Sequence, residues 1–382
     1  MTDAEVAVVG AGVVGSAIAL DLSRRRVSVL LLEAEAEPAL GASGTSSGIL
    51  HTGFDSPPGE LETMLIRRSA ELRDAVVDAL DMPVLRCGAL MLPVQDGDER
   101  AIARLAENAR RNGVAATLRD DGSLAVPGEA VSDPVAFTLG LIAAAERHGA
   151  DLRTGFRVVA IARGDGGFAL ASEAGERVSS RVVVNCAGLY ADEVARLAGD
   201  ESFEIYPRKG EFLVFDPAEP LRHILLPVPS AGTKGVLVFP TVDGKVVAGP
   251  SALDLEDKRD WSVRREARDQ ILPKAAAMWP PLRRTEQLGE YAGLRPAGRG
   301  VNYVIGPSAA CPGLVNVAAI RSTGLSASLG IAERVAAIVA EQGVALGERA
   351  PLEPGSPAPV AGPWWRRTAE HVAGPIAEDA SP

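Results

Sequence analysis

Few side chains in this sequence are suited to proton or anion chemistry, and where they stand is informative. Only four histidines occur in 382 residues. One, His51, lies in "SSGILHTGFD", where a Gly- and Ser-rich segment gives way to apolar residues. An imidazole takes or gives a proton near neutral pH, so His51 is a candidate general base; a loop histidine satisfied by backbone is the plainer alternative. His148 in "ERHGA" reads as a helix C-terminal residue, and His223 and His371 read as surface groups. Arg295 in "GLRPAG", Arg321 in "AIRSTG", Lys209 in "PRKGE" and Lys234 in "GTKGV" are candidates for holding an anion. A guanidinium presents a planar fork to a carboxylate or phosphate, which favours Arg295 and Arg321. For the two lysines a solvated charge or a structural ion pair is an equal reading. Tyr190 and Tyr291 are explained as well by packing as by lining a pocket.

A second constellation binds phosphate rather than moving protons. "GAGVVG" sets Gly10, Gly12 and Gly15 in a G-x-G-x-x-G pattern. The first permits a tight strand-to-helix turn, the second lets a pyrophosphate approach the backbone, and the third lets helix and strand pack closely. The free N–H groups and positive end of the following helix then meet the phosphates. Glu33 closes the next apolar run, where it is placed to accept hydrogen bonds from a ribose and to repel a 2′-phosphate. The motif alone is weak, but strand, helix, second strand and terminal acid all occur at the required spacing. It does not separate NAD from FAD.

These residues require a frame. "EVAVVG" and "VSVLLLE" read as buried strands flanking a helix over "VVGSAIALDLSRR", a strand–helix–strand unit that implies a parallel sheet. "RVVVNCAGLYAD" reads as another buried strand entering a Gly turn, and "GLVNVAAIRSTGLSASLGIAERVAAIVAE" as strand, loop and long helix. Between them, "VLRCGALMLPV", "KGEFLVFD" and "KGVLVFPTVDGKVVAGP" hold short strands broken by Gly, Pro and Asp, a pattern suited to an antiparallel sheet. The expected fold is α/β: a Rossmann-like FAD-binding domain with an inserted antiparallel-sheet (α+β) substrate domain. Its expected boundaries are 1–80, 145–200 and 296–345 for the discontinuous cofactor domain and 81–144 with 201–295 for the substrate domain. Residues 346–382 read as an irregular Pro-rich tail in which Trp364 and Trp365 are available to dock. "RRSAELRDAVVDAL" and "ERAIARLAENARRNG" read as amphipathic helices with solvated charged faces.

Composition narrows the partners. A net charge of −11 argues against binding nucleic acid but not against a small anion in a local basic pocket. Three cysteines with no metal-ligand spacing, and an N-terminus without signal-peptide character, point to the cytoplasm. No apolar run is long enough to span a bilayer, so membrane contact is peripheral at most.

Taken together, the sequence resembles the FAD-dependent oxidoreductase superfamily that includes D-amino-acid oxidase, sarcosine and glycine oxidases, glycerol-3-phosphate dehydrogenase and L-2-hydroxyglutarate dehydrogenase. "VAVVGAGVVGSAIALDLSRRRVSVLLLE", "GASGTSSGILHTGFD", "VVVNCAGLYADEVARLAG" and "GLVNVAAIRSTGLSASLGIAE" carry the likeness, over about residues 4–340. "IYPRKGEFLVFD" and "YAGLRPA" narrow it to the branch acting on hydroxy acids and glycerol 3-phosphate. The resemblance implies non-covalent FAD held by Gly10, Gly12, Gly15 and Glu33. It also places Ser43, Gly44, Thr45, Ser47 and Gly188 along the cofactor, and Gly324, Leu325 and Ser326 at the pyrimidine side of the flavin. The sequence departs from the branch in lacking a Cys-rich extension and a lysine at the start of "PPGELETMLIRRSAEL".

The expected activity is oxidation of the hydroxyl carbon of a small anionic substrate, such as a 2-hydroxy acid or glycerol 3-phosphate, with oxygen or a quinone as electron acceptor. His51 is the expected base, and Arg295 and Arg321 are the expected anion anchors. Lys209 and Lys234 are weaker substrate contacts. An amino-acid or N-methylglycine oxidase of the same fold is the competing enzyme reading, and a non-catalytic flavoprotein or electron-transfer subunit the competing class.

Overall fold

The structure is a computed structural model that describes residues 2–230 and 234–373. The apolar run Ala4–Val9 forms a buried strand at the centre of an eight-stranded sheet. It pairs in parallel with Val29–Leu32 on one side and Arg177–Asn185 on the other, so that Val6 faces both Val29 and Val182. Asp151–Arg153 and Leu314–Ala318 extend the parallel part. Two strands, Val158–Gly164 and Gly167–Ser172, add an antiparallel hairpin to one edge. Strands buried on both faces need continuous apolar runs, and these have them.

The helix Val13–Ser23 is buried along nearly its whole length because Gly15, Ser16, Ala17 and Ala19 leave no large side chain to hold neighbours away. It packs with Leu61–Ala79, Pro134–Arg147 and Gly324–Glu341 in one apolar cluster over the sheet. Asp133 begins Pro134–Arg147 by accepting the N–H groups of Val135 and Ala136 at 2.8 and 2.9 Å, a side-chain cap ahead of a proline at the first turn.

The second large sheet has nine strands. Its longest pair, Ile205–Asp216 with Glu286–Gly298, is antiparallel and sets Arg208 opposite Arg295 and Phe212 opposite Tyr291. A small third sheet joins Ile49–Leu50 and Val84–Leu85 to Ala130–Ser132, with Leu50 opposite Ala130.

The tail is not irregular throughout. Trp364–Ala373 is a helix, and Trp364 and Trp365 are each only 4% exposed. Trp364 meets the ring of Tyr291 edge-on at 5.4 Å, while Tyr291 stacks on Phe212 at 4.7 Å. The packing reading of Tyr291 therefore holds. No helix among the described residues is long and apolar enough to cross a membrane.

Candidate active site

A cavity of about 1120 Å³ lies between the two large sheets and is bounded at one end by the glycine turn. That volume exceeds the roughly 300–1,000 Å³ of most small-ligand sites, which leaves room for a dinucleotide and a substrate together. Gly10 adopts a φ of +105°, and a Cβ there would stand 2.5 Å from the Cys186 carbonyl oxygen, so only glycine fits. At Gly15 a Cβ would fall 2.0 Å from the Gly10 carbonyl oxygen, which is the close helix–strand contact expected of the third glycine. Ser43 Oγ accepts the N–H of Val13 at 2.9 Å, tying the Ser-rich loop to the first helical turn.

Glu33 also lines the cavity. Its two carboxylate oxygens accept the N–H groups of Ala11 at 2.9 Å and Glu35 at 3.1 Å. Burial raises its pKa, and these backbone donors only partly offset that. Gly12, Thr45, Ser47, Gly188, Gly324 and Leu325 line the same space, whereas Gly44 and Ser326 do not. A Cβ on Gly44 would meet the Ala39 carbonyl oxygen at 2.0 Å, so this residue serves the fold of the loop. A bounded cleft, a phosphate turn that only glycine can make and an acid at the second strand end together fit an FAD. Gly10, Gly12 and Ser43 would hold its phosphates and Glu33 its ribose.

His51 lies on the cavity wall with its side chain 14% exposed. Nδ1 sits 2.8 Å from Oε2 of Glu129, a carboxylate with no exposed surface. The other oxygen of Glu129 accepts both the N–H and the hydroxyl of Thr52, at 2.7 and 2.8 Å. The sheet register produces this pair: with Leu50 opposite Ala130 in an antiparallel ladder, the next residue of one strand meets the preceding residue of the other. Ser326 completes the support from outside the cavity, accepting the His51 N–H at 2.8 Å and donating to the Ile49 carbonyl at 3.1 Å. Burial pushes the Glu129 pKa up, but the charge and hydrogen bond of His51, with the two Thr52 donors, outweigh it and hold the carboxyl below its usual range. In the neutral ring, a carboxylate that accepts from Nδ1–H selects the tautomer whose lone pair is on Nε2, the one a base requires.

The cations are gathered unevenly. Arg295, Arg321, Arg208 and Lys234 all line the cavity. Arg295 donates to the carbonyls of Arg208, Lys209 and Ser251 at 2.9–3.2 Å. Burial, then the charges of Arg208 and Arg321, push its pKa down to about 10. Like charges held this close are a feature of anion sites. Arg208 was not identified from sequence, although it stands directly opposite Arg295 in the sheet. Lys234 pairs with Asp55 at 2.9 Å.

Lys209 is a correction to the sequence reading. It is 1% exposed, does not reach the cavity, and donates to the Ser262 carbonyl at 2.9 Å and to Asp260 at 2.8 Å. Successive strand residues point to opposite faces, so a strand that turns Arg208 to the cavity turns Lys209 away. His371 is exposed, as read from sequence, and stands at the edge of the cavity with Nε2 3.2 Å from Glu35. His148 caps its helix, and the His223 ring contacts the Cys87 carbonyl oxygen away from the cavity.

The model of the family described as FAD dependent oxidoreductase matches residues 5–338. The chain is 30% identical to a glycerol 3-phosphate dehydrogenase of Caloramator mitchellensis, over 85% of this chain and 71% of that protein. It is 29% identical to a mitochondrial L-2-hydroxyglutarate dehydrogenase of Nematostella vectensis, over 65% of this chain and 62% of that protein. Among solved structures, the dithionite-reduced L-α-glycerophosphate oxidase of Mycoplasma pneumoniae with FAD bound superposes with a TM-score of 0.86 at 24% identity. That match covers 94% of this chain and 99% of the oxidase.

Proposed function

We propose that this chain, which belongs to the FAD-dependent oxidoreductase family, oxidises the hydroxyl carbon of a small anionic alcohol, with glycerol 3-phosphate first among the candidates and a 2-hydroxy acid second. The observation that carries this reading is the buried His51–Glu129 pair on the wall of a cavity also lined by Arg208, Arg295 and Arg321.

When bound, FAD supplies the two-electron acceptor that takes a hydride from the carbon. The chain supplies the rest. Glu129 keeps the proton of His51 on Nδ1, so Nε2 takes the hydroxyl proton as the carbon is oxidised. Arg295 and Arg321 hold the anionic end and fix the carbon relative to Nε2. Lys234 stands at the same wall with its charge balanced by Asp55, and contributes N–H donors there. An amine oxidised directly by hydride transfer needs no such base, which favours the alcohol over the amine reading. Oxygen or a quinone reoxidises the cofactor.

The test is an anaerobic substrate screen that follows bleaching of the flavin absorbance with glycerol 3-phosphate, L-2-hydroxyglutarate, glycine and sarcosine. Bleaching by a hydroxy compound, slowed by roughly 10²–10⁴-fold in His51→Ala while FAD stays bound, is the expected result. Bleaching by the amines alone, or rates unchanged in the variant, removes the proposal.

A further inference from the structure

The family match ends at residue 338, yet the helix Trp364–Ala373 returns to the cofactor cavity. It bridges two separate parts of the fold. On the substrate-sheet side, Trp365 lies so close to Gly289 that a Cβ there would be 2.8 Å from its ring, and Trp364 packs on Tyr291. On the cofactor side, Arg367 donates to the Pro38 carbonyl at 2.8 Å and to Glu37 at 2.6 Å. Thr368, 1% exposed, abuts Gly44, where a Cβ would be 3.2 Å from its hydroxyl. The last turn brings His371 and Val372 onto the cavity wall beside Glu33 and Glu35.

Two glycines thus make room for this helix, and one arginine ties it to the start of the Ser-rich loop. A helix of ten residues is marginal alone, so its order here derives from docking. We infer that the C-terminal helix is part of the cofactor site: it clamps the 37–44 loop against the substrate sheet and closes the ribose end of the cavity, retaining the bound dinucleotide. The inference needs the FAD site but not the identity of the substrate.

Linkage provides the test, because a helix that stabilises bound FAD must itself be stabilised by FAD. FAD-stripped protein is titrated with FAD, reading flavin fluorescence, for wild type and for the double variant Arg367→Ala/His371→Ala. His371 is exposed, Arg367 reaches the Pro38 carbonyl and the Glu37 carboxylate, and both tryptophans are kept so that the helix retains its packing on the substrate sheet. The expected result is a dissociation constant raised roughly tenfold in the double variant. In parallel, hydrogen exchange of the 364–373 amides in the wild-type protein is expected to slow when FAD is added. Affinity within twofold of wild type overturns the inference, as do tail amides that exchange at one rate with and without FAD. A variant that unfolds at lower temperature but binds FAD as tightly also overturns it, since the helix would then serve only the fold.

Discussion

Glu129→Gln separates orientation of His51, the proposed base, from everything else in the site. Three donors converge on this carboxylate: Nδ1–H of His51, and the N–H and hydroxyl of Thr52. A glutamine offers one acceptor and one donor in the same volume. Turned with its oxygen to His51, its amide N–H groups confront the Thr52 N–H and leave that buried donor unpaired, at a cost of about 1–3 kcal/mol. Turned the other way, the oxygen still serves Thr52 and the amide donates to Nδ1, which must then shed its proton to Nε2. The second arrangement is favoured by a factor of roughly 5 to 150. It places a proton on the nitrogen that should receive one. Reduction of bound flavin by substrate should therefore slow by roughly 10²–10⁴-fold. The dissociation constants for FAD and for substrate should stay near wild type, because neither Glu33 nor the arginines change. Anaerobic stopped-flow bleaching gives the reduction rate, and its dependence on substrate concentration gives binding. A reduction rate within threefold of wild type, in a variant that binds FAD, would refute the tautomer reasoning.

Two further outcomes follow from the same geometry. Arg321→Ala should raise KM for an anionic substrate tenfold or more while moving Tm by less than about 2 °C, since its side chain closes no buried pair. Arg295→Ala should raise KM and also lower Tm clearly, because it strips donors from the carbonyls of Arg208, Lys209 and Ser251; equal Tm effects in the two variants would contradict this contrast. In acid, Glu129 has a folded pKa below its unfolded value, so its contribution is complete above about pH 4.3 and is lost as pH falls through the folded value. Denaturant midpoints of Glu129→Gln measured down this range should fall less steeply with pH than those of wild type, and parallel curves would show that Glu129 does not titrate as assigned.

The glycine turn was legible because its physics is local: Gly10, Gly12 and Gly15 and the acid at Glu33 do their work within one strand–helix–strand unit. His51 was legible by its position after the Ser-rich loop. Glu129 was not, because "VPGEAV" carries only turn chemistry and its partner lies 78 residues away in sequence. The missing information was strand register, which no local pattern in strands of two and three residues supplies. Lys209 failed for a related reason. Choosing Lys209 from "PRKGE" without its strand register overlooks the twofold alternation that sends Arg208 and Lys209 to opposite faces. The tail misled through composition: prolines and glycines over 351–363 hid a helix whose stability comes from a surface formed by distant residues.

The support of His51 has a consequence for how cofactor and base are coupled. Its ring is fixed by Glu129, just before the strand Ala130–Ser132 of the small sheet, while its backbone N–H is fixed by Ser326 in the first turn of Gly324–Glu341. Residues Gly324 and Leu325 of that turn line the cavity, so the turn that would approach the flavin also holds the His51 backbone. A rearrangement there on cofactor binding would be felt at His51 through one 2.8 Å hydrogen bond, and not through the substrate. Ser326 is buried, and its hydroxyl also donates to the Ile49 carbonyl at 3.1 Å. His51 and the first turn of this helix are therefore directly linked; Arg321 lies in the loop just before the same helix, whereas Arg208 and Arg295 come from the nine-stranded sheet.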